Sequence, residues 1–284
     1  MQPQRRPFFG LFLTPGVTVA FLFAAAMAMI LQFSVRMQIP GSLDVGGLTL
    51  RNFTGMLHPL YARVFLDTLW LCVLTAVISL ILGYPLAYAL VRSRRMAVKS
   101  IILIVTVTPL FLGEVVRTYS WVVVLGNNGF INSLLMKMHV IAQPLQILFT
   151  MTGVTIVLVH VTLPVVTVML AAALAHIDPA YEKAAESLGA GPVRVFLTVT
   201  LPLSGPGIVA GLATAFAWTF SAFATPQLIG GGKVNMISNL VYQLGFGNFN
   251  FPFAASLSVA GLVLTFASIA LLRLLLRPLE KVGP

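Results

Sequence analysis

The sequence predicts an all-α, polytopic membrane protein with six transmembrane helices, a cytoplasmic helix-turn-helix between the fourth and fifth, and both termini in the cytoplasm. Composition, six long apolar segments and the placement of basic residues support this prediction. Of the 284 residues, 58% are hydrophobic and 8% are charged, and the mean hydropathy is +0.99. A soluble globular domain carries about 25% charged residues. The composition therefore excludes an ordinary soluble enzyme, a disordered protein and a coiled coil.

Six apolar segments are long enough to cross a bilayer, which takes about 20 residues in a helix. Only helices and closed barrels satisfy the backbone in lipid, and the alternation of barrel strands is absent, so each segment is predicted to be helical. The first exceeds the core of a cleaved signal peptide, about 7–15 residues, and is predicted to remain as an anchor. We treat residues 1–284 as one transmembrane domain. The predicted spans are about 11–33, 64–91, 100–124, 147–175, 204–225 and 253–276.

The net charge of +10 arises from 17 Lys and Arg against 7 Asp and Glu. No basic stripe is interleaved with aromatic residues in a polar segment, so we expect a lipid bilayer and no nucleic acid as the partner of this charge. Placing the N-terminus inside puts eleven basic residues in the cytoplasm and five outside, which satisfies the positive-inside rule. Arg117 falls within the third span. The cytoplasmic residues are Arg5, Arg6, Arg92, Arg94, Arg95, Lys99, Lys183, Arg194, Arg273, Arg277 and Lys281; the outer ones are Arg36, Arg51, Arg63, Lys137 and Lys233.

Proline and glycine interrupt several predicted spans. Such breaks are tolerated where neighbouring helices or a cavity satisfy the backbone, which suits a protein whose helices move. The alternative is that both residues are simply commoner in membrane helices. The interruptions are Gly83 and Pro85, Pro109 and Gly113, Pro164, and Gly205-Pro206-Gly207 with Gly211.

The cytoplasmic segment 178–202 has strong local signals for two short helices. Asp178 suits an N-cap and Pro179 suits the first helical position. A helix can run to Leu188, after which Gly189 suits the left-handed residue that ends helices. A second helix is predicted from Gly191-Pro192 to about Leu201-Pro202, which gives a helix-turn-helix.

One face of the first of these helices carries an apolar stripe of Ala180, Ala184 and Leu188, at a four-residue spacing. Two of these are alanines, whose small side chains would let a partner surface approach closely. The alternative, an interfacial amphipathic helix lying on lipid, is disfavoured by the shortage of basic and bulky apolar residues. The charged residues predicted to lie around the other side are Glu182, Lys183 and Glu186.

Segment 183–202 resembles the EAA motif of the permeases of ABC importers, which reads Glu-Ala-Ala, three residues, Gly, nine residues, Ile, any residue, Leu-Pro. The spacing matches throughout, but Lys183 stands in the place of the motif's Glu and Val199 in that of Ile. The resemblance implies that the loop docks into a groove of an ATPase subunit and transmits its motion to the membrane helices. The residues it implicates in this coupling are Glu182, Lys183, Ala184, Ala185, Glu186, Gly189, Leu201 and Pro202.

This chain is expected to bind no cofactor, and ATP and Mg²⁺ are expected on the partner ATPase. No G-x-x-x-x-G-K-[ST] phosphate loop occurs in the sequence. The nearest candidate, Gly230-Gly231-Gly232-Lys233, lacks that spacing and is interpreted as a flexible turn on the outer face.

The resemblance extends over roughly residues 60–275 and points to the PotB-type, spermidine/putrescine branch of these MetI-like permeases. It implies a bacterial inner-membrane importer of polyamines or a related small organic cation. It also implies two ATPase subunits, a second homologous permease and an extracytoplasmic substrate-binding protein as partners. Other small solutes remain open, such as an amino acid derivative, a betaine or an aminoalkylphosphonate. The matching segments are Asp67–Leu69, Gly83–Ala87, Val116–Trp121, Leu125–Asn132, Thr225–Gly231 and Phe251–Ala255.

Two acidic residues near the membrane remain outside the loop and tails. Asp67 and Glu114 would suit a path for a cation, with Tyr119 and Trp121 offering aromatic faces to an ammonium group. Arg117 follows Glu114 by three residues, so a structural ion pair is the alternative. Trp121 could instead anchor at the interface. His160 in the fourth span is predicted to be an interhelical hydrogen-bond partner rather than a ligand.

Two other classes of protein fit the sequence less well. An intramembrane enzyme needs a nucleophile with a base, or a metal cluster, at membrane depth. The four histidines are scattered, and neither His-x-x-x-His nor Gly-x-Ser-x-Gly occurs. A channel or secondary transporter would work without ATPase subunits and would not need the helix-turn-helix at 178–202.

Overall fold

The computed structural model describes residues 6–280, so Arg5 and Lys281, two of the basic residues assigned to the cytoplasm, lie outside the described residues. The described chain is mostly helical. Its elements are α1 (Arg6–Ser34), β1 (Arg36–Gln38), β2 (Val45–Leu48), α2 (Arg51–Gly55), α3 (Pro59–Arg92), α4 (Met96–Val107), a 3₁₀ turn (Thr108–Phe111), α5 (Glu114–Leu125), α6 (Phe130–Lys137), α7 (Met151–Ala175), α8 (Pro179–Ser187), α9 (Pro192–Val195), a π turn (Phe196–Thr200), α10 (Leu201–Leu203), α11 (Gly205–Phe220), α12 (Ala224–Ile229), α13 (Ile237–Tyr242), a second π turn (Gln243–Gly247) and α14 (Phe251–Glu280).

Four helices of the described chain, α1, α3, α7 and α14, are long and apolar enough to cross a membrane. Two further pairs of helices pass the same test but are sharply bent between their members. By length and composition, the described chain therefore has four candidate spans, or up to six if each bent pair is one span. The bent pairs are Met96–Phe111 with Glu114–Lys137, and Pro192–Leu203 with Gly205–Phe220.

The third predicted span, 100–124, is not one continuous helix. The chain bends by 111° between Met96–Phe111 and Glu114–Lys137, and the 3₁₀ turn Thr108–Phe111 and Gly113 separate α4 from α5. Pro109 lacks a backbone N–H and Gly113 has an extended ψ of 142°, so the helical ladder stops here. By contrast, α3 and α7 continue through Pro85 and Pro164.

The fifth predicted span, 204–225, is also shorter than expected. α11 ends at Phe220, and a separate short helix, α12, begins at Ala224. At the other end of α11, the chain bends by 67° between the segment Pro192–Leu203 and α11, with Ser204 between them.

A short antiparallel hairpin corrects the all-α prediction. β1 pairs with β2, with Arg36 opposite Leu48 and Gln38 opposite Val45. Gly41 has φ +80° in the connecting turn, a conformation that glycine adopts without steric cost. The amide of Asn52 donates to the carbonyl oxygens of Ser34 and Arg36, both at 2.9 Å, and so fixes α2 to the base of the hairpin.

The described chain divides into two compact units. The first contains residues up to 62 together with 240–263, and the second contains 63–239 with the residues from 264 onward. In the first unit, the apolar side chains of α1 from Leu13 onward are largely uncovered by the described chain. The ring of Tyr61 packs edge-on against Phe253, with centroids 5.0 Å apart.

The core of the second unit is built around α7, whose buried side chains include Val166, Leu170 and Leu174. α7 packs closely against α11 and α3 because small residues lie at the contacts. A Cβ at Gly207 would overlap Ala173, and a Cβ at Gly83 would lie 3.1 Å from the Thr167 hydroxyl. Small residues let membrane helices approach closely and gain packing energy.

Candidate functional site

The first helix of the 178–202 loop is fixed at both ends by its own sequence. The Asp178 carboxylate accepts a hydrogen bond from the Ala180 N–H at 2.8 Å, and Pro179 occupies the first helical position. At the other end, Gly189 has φ +84°. The N–H groups of Gly189 and Ala190 donate to the carbonyls of Glu186 and Ala185, at 2.9 and 3.1 Å. This is a Schellman cap, which satisfies the last carbonyls of α8.

The second half of the loop leads directly into the membrane helices. Pro192 opens α9, the chain then widens into the π turn Phe196–Thr200, and α10 ends at Leu203. Single π turns inside helices are frequently found at functional sites. The π turn and the 67° bend after Leu203 therefore lie between α8 and α11.

The apolar stripe of α8 is exposed. Ala180, Ala184 and Leu188 are all exposed, and Leu188 has a relative accessibility of 89%. Val193 and Leu197 extend this exposed apolar surface beyond the Schellman cap. We call these five residues the docking stripe. The docking stripe lies in a loop outside the predicted spans, and caps order the helix that carries most of it. Its apolar residues are nevertheless uncovered. An exposed apolar surface of this kind is typical of a contact surface for another protein.

Glu182 faces the opposite way from the docking stripe. Its Oε1 accepts hydrogen bonds from Thr200 Oγ1 at 2.8 Å and Arg92 Nε at 3.3 Å, and its Oε2 lies 3.2 Å from Arg92 Nε. The side chains of Arg92 and Glu182 are only 15% and 12% exposed. Lys183 and Glu186, by contrast, are exposed on α8. Glu182 therefore forms an internal ion pair, while Lys183, in the place of the motif's Glu, faces outward.

One face of α3 contacts this loop, and the sequence analysis missed it. Tyr84, Tyr88 and Arg92 follow one another at a four-residue spacing, which places them on one side of the helix. The Tyr84 hydroxyl lies 2.7 Å from the Ser204 hydroxyl, and the Phe196 ring packs edge-on against both tyrosines. The four-residue spacing is the sequence feature that could have identified this face of α3. Sequence reasoning used Arg92 only as a positive charge that orients the chain in the membrane.

A buried arginine donates a hydrogen bond to the backbone at the break in the third span. Arg117 Nη1 donates to the Pro109 carbonyl oxygen at 2.8 Å, and Arg117 has a relative accessibility of 7%. The expected ion pair between Glu114 and Arg117 is absent from the ion pairs of the described residues. Glu114 starts α5 and is exposed. Arg117 therefore bonds to a backbone carbonyl at the break, which also accepts from the Leu112 N–H, and not to Glu114.

Trp121 and His160 meet at the wall of an apolar cavity. The indole N–H of Trp121 donates to His160 Nδ1 at 3.1 Å, and the rings pack edge-on with centroids 5.2 Å apart. His160 is therefore an interhelical hydrogen-bond partner, as predicted. The cavity has a volume of about 630 Å³, and Trp70 and Thr155 also line it.

The other residues predicted for a solute path do not line this cavity. Asp67 lies one helical turn from Arg63, with 3.9 Å between the carboxylate Oδ2 and Nε, and Tyr119 is exposed. Neither they nor Glu114 and Arg117 are among the residues that line the Trp121 cavity. Of the five residues predicted for the path, Trp121 is the one that lines this cavity.

The glycine run before Lys233 forms a turn. Gly231 and Gly232 have φ values of +54° and +78°, and the Lys233 N–H donates to the Gly230 carbonyl at 3.0 Å. Because consecutive residues with positive φ favour glycine, the run is explained by the turn itself.

The described chain has long apolar helices, two bent pairs of helices and one capped loop with an exposed apolar stripe. Together these features are typical of a multi-pass membrane permease. The family model described as "Binding-protein-dependent transport system inner membrane component" matches residues 60–281. The chain therefore belongs to this family of inner-membrane transport permeases, which are subunits of ABC importers.

Several relatives with curated names support this assignment. The spermidine/putrescine transport system permease protein PotB of Haemophilus influenzae is 31% identical over 217 residues, which are 76% of each chain. PotB of Escherichia coli (strain K12) is 31% identical over 211 residues, 74% of this chain and 76% of that one. The inner membrane ABC transporter permease protein YdcU of the same strain is 30% identical over 230 residues, 76% of this chain and 72% of YdcU.

The fold is shared with solved transporters of much lower sequence identity. A chain of the crystal structure of a bacterial alginate ABC transporter, in complex with an alginate pentasaccharide-bound periplasmic protein, superposes with a TM-score of 0.82. It is 17% identical, and the match covers 99% of this chain and 98% of that one. A second alginate ABC transporter structure gives a TM-score of 0.75 at 17% identity, with 96% of both chains covered. At this identity the comparison shows the fold alone.

Proposed function

We propose that this chain is the membrane subunit of an ATP-driven importer of polyamines or a related small organic cation. In this proposal the four long helices and two bent pairs make six crossings, with both termini in the cytoplasm. The excess of basic residues in the segments assigned to the cytoplasm supports this orientation. Solute crosses by alternating access, with the pathway open to one side of the membrane at a time.

The observation that carries the proposal is the docking stripe. It is apolar and exposed, and caps at both ends hold α8 in shape. A small helical surface of this kind suits a groove on another protein, because alanines permit close approach and Leu188 can fill a pocket. We assign this groove to an ATPase subunit, of which the complex holds two. They bind the ATP and Mg²⁺, and this chain binds neither.

Two further partners complete the proposed complex. A second, homologous permease forms a heterodimer with this chain, and an extracytoplasmic substrate-binding protein delivers the solute. Family membership supports the delivery step, since the family is defined by dependence on a binding protein. The alginate transporter solved with its periplasmic protein is consistent with such a step.

The polyamine assignment is supported by the PotB relatives and by two acidic residues. Glu114 is exposed and has no ion-pair partner among the described residues, so its carboxylate is free to meet a cation. Asp67 and the exposed Tyr119 are further candidates along the path. We give Arg117 and Trp121 supporting roles there, because Arg117 Nη1 donates to Pro109 and the indole N–H of Trp121 donates to His160.

Uptake by the reconstituted complex tests the coupling assignment. Ala184→Trp places a bulky ring in the docking stripe and is expected to abolish ATP-driven uptake and weaken retention of the ATPase subunits. Ala97→Trp is the matched control, because Ala97 is an equally exposed helical alanine outside the loop. Equal uptake and equal ATPase retention in the two variants would contradict the coupling role of the stripe.

Binding and uptake assays test the identity of the solute separately from the mechanism of transport. The cognate binding protein is titrated with putrescine, spermidine, glycine betaine and an aminoalkylphosphonate, and the same four are offered for uptake. We expect putrescine or spermidine to bind and to enter. Uptake of only a betaine or an aminoalkylphosphonate would contradict the polyamine assignment, and uptake without ATPase subunits would indicate a channel or secondary transporter instead.

A further inference from the structure

Three residues on one face of α3 contact the loop along its length. Arg92 reaches the start of α8, Tyr88 packs on the π turn, and Tyr84 reaches the bend before α11. Their four-residue spacing means that a single helix face contacts all three parts. We call Tyr84, Tyr88 and Arg92 the α3 stripe.

Arg92, at one end of the α3 stripe, bonds both to the residue just before α8 and to a residue inside α8. Arg92 Nη2 donates to the Ile177 carbonyl at 3.0 Å, just before α8, while its Nε pairs with Glu182 inside α8. Ile177 is itself buried. Both charged side chains are largely withdrawn from water, so the pair keeps its geometry better than an exposed pair would.

The Tyr84 end of the stripe is fixed where the chain bends. The Tyr84 and Ser204 hydroxyls are hydrogen-bonded in the core, and Ser204 is the residue between the two arms of the 67° bend. Phe196 packs its ring edge-on against Tyr84, with centroids 5.3 Å apart. Thr200, at the end of the same π turn, donates to Glu182, the residue that Arg92 holds.

These contacts create a second mechanical connection beside the covalent one. The covalent route from α8 to α11 passes through the π turn and the bend, two places where the helical ladder is irregular. The α3 route passes through a largely buried ion pair and a buried hydrogen bond to a continuous helix of 34 residues. Hydrogen-bond and ion-pair networks together with rigid helices are the elements that carry coupling between distant parts of a protein.

We infer that α3 is a second output of the coupling loop, and that Arg92 and Glu182 are positioning residues that make α3 move with α8. This inference rests on the proposed function, since it presumes that an ATPase displaces α8. It assigns Glu182 to force transmission inside the permease rather than to the ATPase contact.

Transport stoichiometry tests this inference in the complete reconstituted complex. The variants Arg92→Gln, Glu182→Gln and Tyr84→Phe are compared with the control Arg94→Gln, which alters an exposed arginine near the same helix end. ATPase retention, ATP hydrolysis and solute uptake are measured together. We expect retention and hydrolysis to persist, while uptake per ATP falls at least about fivefold for the Arg92 and Glu182 variants, the scale of ordinary site-to-site coupling. Tyr84→Phe removes a single oxygen atom and is expected to lower the same ratio without loss of folding.

A charge reversal distinguishes transmission from mere folding. Arg92→Glu combined with Glu182→Arg is expected to recover part of the uptake per ATP that either reversal alone loses, since the pair is re-formed. An unchanged ratio in assembled Arg92→Gln and Glu182→Gln complexes would overturn the inference. Release of the ATPase by Glu182→Gln would also overturn it, because Glu182 would then be a contact residue. Failure of the unmodified permease to bind any ATPase would instead refute the proposed function.

Discussion

Arg117 donates from Nη1 to the carbonyl oxygen of Pro109 at 2.8 Å, across the break in the third membrane segment. The bond joins the two arms of a span that turns through 111°. The Pro109 carbonyl also accepts a hydrogen bond from the Leu112 N–H, at 3.3 Å, at the end of the 3₁₀ turn. A buried arginine is costly without a partner, and its hydrogen bond to this carbonyl offsets part of that cost.

Replacing this arginine is therefore expected to destabilise the folded protein. Arg117→Met keeps much of the side-chain volume but removes the charged donor, so that the Pro109 carbonyl keeps only its 3.3 Å hydrogen bond from the Leu112 N–H. Loss of a hydrogen bond from a charged group should lower the free energy of unfolding by about 1.5–3 kcal/mol. Thermal unfolding of the purified protein in detergent measures this. Arg63→Met is the control, since its side chain is 84% exposed, and an equal loss of stability in both would contradict the role given to Arg117.

Gly207 is expected to tolerate no larger residue, because a Cβ there would overlap Ala173 on α7. Gly207→Ala should cost about 1–3 kcal/mol of stability by overpacking. Gly211→Ala is a control one turn further along the same helix, where the new Cβ would lie 3.7 Å from Val166, an ordinary contact. Unfolding midpoints that fall equally for both variants would argue against a close approach of α11 and α7 at Gly207.

The Schellman cap of α8 predicts a strong preference for glycine at position 189. Gly189→Ala forces a residue with a Cβ into φ +84°, at a cost of about 1–2 kcal/mol. We expect lower ATPase retention, because the docking stripe loses its fixed shape. Gly191→Ala, at φ −70° with open space around it, should leave retention unchanged. Retention that is insensitive to both variants would mean that the cap does not shape the contact.

The hydrogen bond between Trp121 and His160 is expected to show energetic coupling between the two helices. Trp121→Phe keeps an aromatic ring but removes the donor, and should cost about 1 kcal/mol. Combined with His160→Leu, the two losses should be less than additive in a double-mutant cycle of unfolding free energies. Full additivity would show that the two side chains do not stabilise one another.

Glu114 provides the test of the proposed solute path. Because Glu114 forms no ion pair in the described chain, Glu114→Gln should fold normally and keep its ATPase. If its carboxylate meets the cation, uptake of the polyamine should fall relative to unmodified protein at limiting solute. Asp44→Gln alters an exposed acid in the connection between the two hairpin strands and serves as the control. Normal uptake and selectivity in Glu114→Gln would remove this residue from the path.

Local sequence signals predicted the capped helix of the loop well. The roles of Asp178, Pro179 and Gly189 depend on the backbone within a few residues, so they can be predicted without knowledge of the tertiary fold. The apolar segments likewise predicted the long helices, since lipid imposes length and hydrophobicity directly. These features needed no knowledge of distant contacts.

Tertiary contacts account for what the sequence did not predict. The resemblance to the EAA motif implicates Glu182 in ATPase coupling, but its partner Arg92 lies 90 positions earlier in the chain, and Thr200 lies 18 positions later. The alternative interpretation pairs Arg117 with Glu114, three residues before it, whereas the guanidinium donates to a carbonyl eight residues earlier. Proline alone did not locate the broken spans, because α3 and α7 continue through Pro85 and Pro164 while the chain breaks near Pro109.

Crosslinking from the docking stripe tests most directly the claim that this permease is driven through α8. The one native cysteine, Cys72, is buried, so a single exposed cysteine can be introduced in a Cys72→Ser background. Leu188→Cys is expected to form a crosslink with the ATPase subunit in the assembled complex, whereas Met96→Cys, exposed on α4, is not. No crosslink from position 188, or equal crosslinking from both positions, would contradict the account.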